Sequence, residues 1–88
     1  MATIDVYEAG FLKAGPPIKN ASFREIQWDG KKETDIGPLL AIPGGPLGNK
    51  YSLPEYFGGG YVRVSAPNYR YERVLISPWE RKEVLLGR

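Results

Sequence analysis

Apolar and polar side chains alternate along three stretches of this chain, and each alternation predicts a strand. Thr3-Ile4-Asp5-Val6-Tyr7-Glu8 puts Ile4 and Val6 on one side of an extended backbone, and Ala9-Gly10 interrupts it. Phe11-Leu12-Lys13-Ala14 is too short to assign, and Gly15-Pro16-Pro17 is expected to stop any regular element because proline has no amide donor. Around Trp28-Asp29-Gly30-Lys31 the Asp-Gly pair fits a two-residue type I′ turn. With that pair at the tip of a hairpin, Trp28 faces Lys31, Ile26 faces Glu33, Arg24 faces Asp35 and Phe23 faces Ile36. Tyr61–Ser65 alternates cleanly and Tyr69–Ile76 follows a turn at Ala66-Pro67-Asn68, which predicts a second hairpin with Val62 and Val64 on its inner face and Tyr61 and Arg63 on the other.

Between the hairpins the pattern dissolves. Residues 37–60 hold glycine at 37, 44, 45, 48, 58, 59 and 60 and proline at 38, 43, 46 and 54, a density expected to leave no ladder. Leu39, Leu40, Ile42, Leu47, Leu53, Tyr56 and Phe57 are spread through the same tract, so it is not a solvated linker, and it reads as a long extended arm or loop whose apolar side chains pack on something. At the C-terminus, Ser77-Pro78-Trp79-Glu80 has the residues of a capping box and Gly87 is placed as a stop, which predicts a short helix at 78–86, with a last strand at 82–86 as the alternative. The expected fold is mainly β: a single domain, built as a small antiparallel sheet or partly open barrel of about five strands. Its expected core is Ile4, Val6, Phe23, Ile26, Val62, Val64, Val74, Ile76 and Leu85.

At 88 residues, one core seldom supplies a wide margin of stability, and small domains often add disulfides, a metal or a partner. The chain has no Cys and no His, which excludes disulfides and nearly excludes zinc, so no cofactor is expected and partner contacts remain as the source of extra order. The same absence removes the usual acid–base and nucleophilic groups. Six glutamates (Glu25, Glu33, Glu55, Glu72, Glu80, Glu83) read as solvated surface charge before they read as a glycosidase pair, and Ser52 and Ser65 lack the glycine frame of a nucleophile elbow. Gly44–Tyr51 resembles a phosphate loop only superficially: Asn49 stands where glycine is needed, Tyr51 where a hydroxyl residue is needed, and Pro46 removes an amide. No apolar run or leader pattern points to a membrane or to secretion, so a cytoplasmic location is expected, and the Asn20-Ala21-Ser22 sequon is given no weight.

One constellation has chemical content. Seven of the eleven aromatic residues lie between Tyr51 and Trp79, interleaved with Lys50, Arg63, Arg70 and Arg73. Tyr, Trp and Arg are the types enriched in protein interfaces, so Leu47, Tyr51, Tyr56, Phe57, Tyr61, Arg63, Tyr69, Tyr71 and Trp79 are the expected contact surface. The function expected is a non-enzymatic structural or assembly subunit of a larger particle, self-associating or binding neighbours through the arm, with virus particles as a setting by analogy. Aromatics that stack bases beside arginines that follow phosphates make the alternative, a single-stranded nucleic-acid-binding barrel using Lys50, Tyr61, Arg63, Tyr69, Arg70, Tyr71 and Arg73. A net charge of only +2 weakens that alternative. A regulator docking on one enzyme would use the same interface features as the first.

Overall fold

A computed structural model describes residues 1–10 and 14–88; the unassigned stretch at 11–13 lies outside the described residues. Nine strands are described: β1 (Thr3–Ala9), β2 (Ala14–Pro17), β3 (Ser22–Trp28), β4 (Glu33–Leu39), β5 (Ile42–Gly44), β6 (Lys50–Ser52), β7 (Gly60–Ser65), β8 (Glu72–Ile76) and β9 (Arg81–Leu86). The fold is all-β among the described residues. One sheet is antiparallel in the order β4-β3-β7-β8; in the other, β1 pairs with β2 and β6 along one edge and with β9 along the opposite edge, and β5 is added to β6. The sheets are antiparallel as expected except for the β1–β9 pair, which is parallel. Apolar residues from both sheets form one core, with Ile4, Val6, Phe23, Val62, Val64 and Ile76 all in it as expected and Val74 packed partly against it.

The first hairpin forms, but with a different turn. The Asp29 carboxylate accepts the backbone N–H groups of Lys31 (2.8 Å) and Lys32 (2.7 Å), which holds a four-residue connection, with Gly30 at φ +94°. Trp28 therefore pairs with Glu33 and Ile26 with Asp35, two positions beyond the expected register. A bulge at Ile36 then shifts the ladder once more, so Leu39 and not Ile36 stands opposite Phe23. Ile36 is left exposed, while Leu39 enters the core.

Side-chain parity also corrects the expected core. Ile26 is buried but lies outside the core cluster: it pairs with Tyr61 and shares the outer face with Arg24 and Arg63, opposite to Phe23 and Val64. In β9 it is Val84 and Leu86 that are buried, whereas Leu85 points outward. The predicted helix at 78–86 is absent. Its end signal is satisfied locally, since Ser77 N–H donates to the Glu80 carboxylate (3.0 Å) and Glu80 N–H to Ser77 O (3.2 Å), but the bonds close a single turn. Beyond it the chain extends along β1, whose free donors and acceptors take a partner over six residue pairs.

The 37–60 tract is not an arm. Its glycines and prolines shape a hairpin of β5 and β6, turned through Gly45 and Gly48 in the left-handed region, and β6 pairs with β1. Tyr51, Leu53 and Phe57 reach the core, and the Tyr51 hydroxyl donates to Ile18 O (2.9 Å) and accepts from Ala21 N–H (3.1 Å). Asn49, which spoiled the phosphate-loop pattern, is buried and clamps β1: its side chain donates to Val6 O (3.0 Å) and its carbonyl accepts Val6 N–H (3.1 Å). Gly15-Pro16-Pro17 likewise does not stop the chain but forms most of β2, a strand paired on one side only, where a missing proline donor is tolerated.

Two exposed carboxyls tie this fold to pH. The Lys32 and Lys31 amides hold Asp29 below its ordinary value of 3.8, and the Arg24 guanidinium does the same for Asp35. Groups lowered on folding contribute stability that is complete above the unfolded value and disappears as the pH falls through the folded one. Urea midpoints are therefore expected to be level down to about pH 5 and to drop below about pH 4, with a shallower drop in the Asp29→Ala, Asp35→Asn double variant. An unchanged acid slope in that variant would assign the loss to other groups.

Candidate functional site

The outer face of the curled four-stranded sheet collects most of the arginines singled out from the sequence. Alternation brings Arg24 and Trp28 of β3, Glu33 and Asp35 of β4, Arg63 of β7 and Arg73 of β8 onto it. Arg63 donates to Glu33 (2.7 Å) and approaches Asp35 (3.8 Å), Arg24 donates to Asp35 (2.6 Å), and Arg73 lies 3.6 Å from Glu33. The Glu33 hydrogen bond, ahead of its charge and that of Asp35, raises the Arg63 pKa. Arg73 stacks on Trp28 at 3.6 Å from the ring centre, and Arg63 lies over Tyr71 at 5.1 Å. This lattice of cations, carboxylates and rings covers Ile26. The Arg24–Asp35 charge pair expected from the hairpin is present, although the register differs, and Glu33 and Asp35 together neutralise most of the charge that a phosphate chain would need.

The remaining members of the expected basic platform are elsewhere. Because β8 starts at Glu72, Tyr69 and Arg70 stay in the β7–β8 loop, pinned by Arg70 N–H to Gly87 O (2.7 Å). There Arg88 pairs with Glu8 (2.6 Å) and lies over the Tyr69 ring, and Arg70 donates to the Arg88 carbonyl (3.0 Å). Lys50 and Leu47 belong to the β5–β6 hairpin and border a shallow depression with Asp5 and Arg81. Tyr61 is half-buried beside Ile26. Tyr51, 3% exposed, is not available as contact surface, and Phe57, 4% exposed, is mostly core and leaves only a small part of its ring at the surface.

Trp79 is the opposite case: 84% of it is exposed, the most of any large apolar residue described. It sits on the tight Ser77–Glu80 turn at one wall of a cleft of about 350 Å³ lined by Met1, Pro54, Glu55, Phe57, Pro78 and Trp79. Three segments are locked together around it. Leu53 N–H donates to Ala2 O (2.9 Å), Thr3 N–H to Glu80 O (3.0 Å), and Phe57 N–H to Pro54 O (3.0 Å). Gly59, at φ +93°, lets the β6–β7 loop close on the ring of Pro78: a Cβ there would meet Pro78 Cδ at 2.9 Å. Tyr56, between two lining residues, is 68% exposed. The cleft is thus apolar, preformed and bordered by one carboxylate. Trp79 and Tyr56, both named in the expected contact surface, are exposed; Met1, Pro54, Glu55 and Pro78 were not singled out, although Pro54-Glu55-Tyr56 and Pro78-Trp79-Glu80 each set a proline beside an aromatic and an acid.

No group of three or more potential metal-ligating side chains occurs among the described residues, and no described helix is long and apolar enough to cross a membrane. No protein-family model, curated protein or solved structure matches this chain.

Proposed function

We propose that this chain is a non-enzymatic docking module, a small subunit that joins a larger assembly by holding a partner protein at the Trp79 cleft. The observation that carries this reading is an indole left almost wholly in water on a rigid turn, at the wall of a preformed apolar cleft. Leaving a tryptophan so exposed forgoes burial worth about 2–3 kcal/mol, and such residues are the commonest anchors of protein interfaces. The 37–60 tract contributes as scaffold, through Pro54, Glu55 and Phe57, and not as an arm. A regulator of one enzyme would use the same cleft. The nucleic-acid alternative is less well supported, since Arg63 and Arg73 are engaged by Glu33 and are separated from Tyr69 and Arg70.

A photoreactive phenylalanine analogue in place of Tyr56, introduced in the source cells, is expected to give one discrete protein adduct that is lost when Trp79→Ser is added. Trp79 is too exposed for that change to alter folding by more than about 0.5 kcal/mol. An absent adduct, or one indifferent to residue 79, would remove the docking reading.

A further inference from the structure

The chemistry around the cleft narrows its occupant. Backbone recognition by strand addition needs a free row of amides and carbonyls, and here the donors are largely spent: those of Thr3, Leu53, Phe57 and Glu80 are bonded to carbonyls, Ser77 N–H is bonded to Glu80, and Pro54 and Pro78 have none. What the cleft offers is side-chain surface. Proline rings at 54 and 78, Phe57, Met1 and the Trp79 indole make apolar walls with room for about two or three small apolar side chains. An amphipathic helix would need anchors spread over two or more turns.

Two polar groups complete the site. Among the described residues nothing accepts a hydrogen bond from the Trp79 indole N–H, and Glu55 has no ion-pair partner. A complementary ligand therefore presents compact apolar rings, an outward carbonyl with no strand partner, and a cation. A polyproline II segment has the first two by construction, since it lacks internal hydrogen bonds and its prolines carry no donor that would go unsatisfied on burial.

Resting on the docking reading above, we infer that the Trp79 cleft binds a proline-rich segment of the partner protein that carries an arginine or lysine beside its prolines. The rings pack between Trp79, Pro78 and Pro54, the indole N–H donates to a ligand carbonyl, and Glu55 faces the basic side chain. Pre-ordering of the polyproline II backbone reduces the entropy lost on binding, which suits a cleft too small to supply a large interface.

The test is a titration of the isotopically labelled full chain, followed by NMR, with three synthetic peptides: a proline–leucine heptapeptide ending in arginine, the same peptide ending in glutamate, and an alanine-based helical peptide ending in arginine. The first is expected to shift the Trp79 indole resonance saturably, with Kd of about 10–300 µM. The glutamate-ended peptide is expected to bind about three- to fivefold more weakly, a difference abolished by Glu55→Gln. Trp79→Ala is expected to weaken binding more than about thirtyfold. No saturable shift at Trp79, or equal binding of the helical peptide, overturns the inference. If the Tyr56-position adduct still forms and depends on Trp79 while the proline peptides leave the indole unmoved, the proline-rich assignment falls and the docking reading stands. If both experiments are negative, both fall.

Discussion

Replacing Tyr51 with alanine is expected to lower the unfolding free energy of the isolated chain by about 3–5 kcal/mol, against a total of about 4–13 kcal/mol for a domain of this length. The ring is buried against Phe23, 4.9 Å between centroids, and its hydroxyl joins the β2–β3 connection to β6 through Ile18 and Ala21. Tyr51→Phe separates the two contributions: it keeps the ring, strands the Ile18 carbonyl and the Ala21 amide, and is expected to cost about 1–2 kcal/mol. Urea denaturation of both variants checks this. The comparison also decides where the Gly/Pro tract belongs. A residue of an arm awaiting a partner could be truncated in the free protein with a change below about 0.5 kcal/mol, and such a result would refute the packing of residues 37–60 described above.

Gly59→Ala is expected to destabilise by about 2–4 kcal/mol, and Gly58→Ala by no more than about 0.5 kcal/mol. The two glycines are neighbours in one loop, but a Cβ on Gly58 would meet nothing within 4 Å, while one on Gly59 would press on Pro78 Cδ at 2.9 Å and Cγ at 3.3 Å. Gly59 is also at φ +93°, which a residue with a Cβ adopts only with strain. Because proline ring atoms cannot swing away, relief must come from the backbone of one of the two loops, which loosens the wall that carries Trp79. Denaturation midpoints for the pair measure the clash. Equal midpoints would show that the two loops are not in contact and that the cleft is not preformed.

Local alternation proved sufficient where a strand buries one face and the chain enters it without a bulge. In β1 and β7 the apolar residues Ile4 and Val6, and Val62 and Val64, turn into the core as their patterns predict, although Asp5 between the first two is buried as well. In β9 the same principle was available, but Val84, Leu85 and Leu86 are consecutive and apolar, so only the facing strand decides which of them turns inward. The Asp-Gly signal located the first hairpin and missed its register, because the aspartate side chain bonds two amides of the turn itself and lengthens it. Glycine and proline in 37–60 were read as breakers; in fact the positive φ of Gly45 and Gly48 is what lets a tight β5–β6 hairpin return to β1.

The candidate site divides in the same way. Exposure of Trp79 and Tyr56 could be guessed from residue type, but the cleft is made by three segments far apart in the chain, and Arg63 reaches the carboxylates of the first hairpin only because β7 pairs with β3. From the amino-acid order alone came the β class, the place of the first and last hairpins and the inward-facing residues of β1 and β7, because these depend on neighbours one or two positions away. Which strands adjoin, which of two consecutive apolar residues is buried, which charges cancel and where an aromatic is left bare were settled only on folding, since each depends on a partner brought close by long-range pairing.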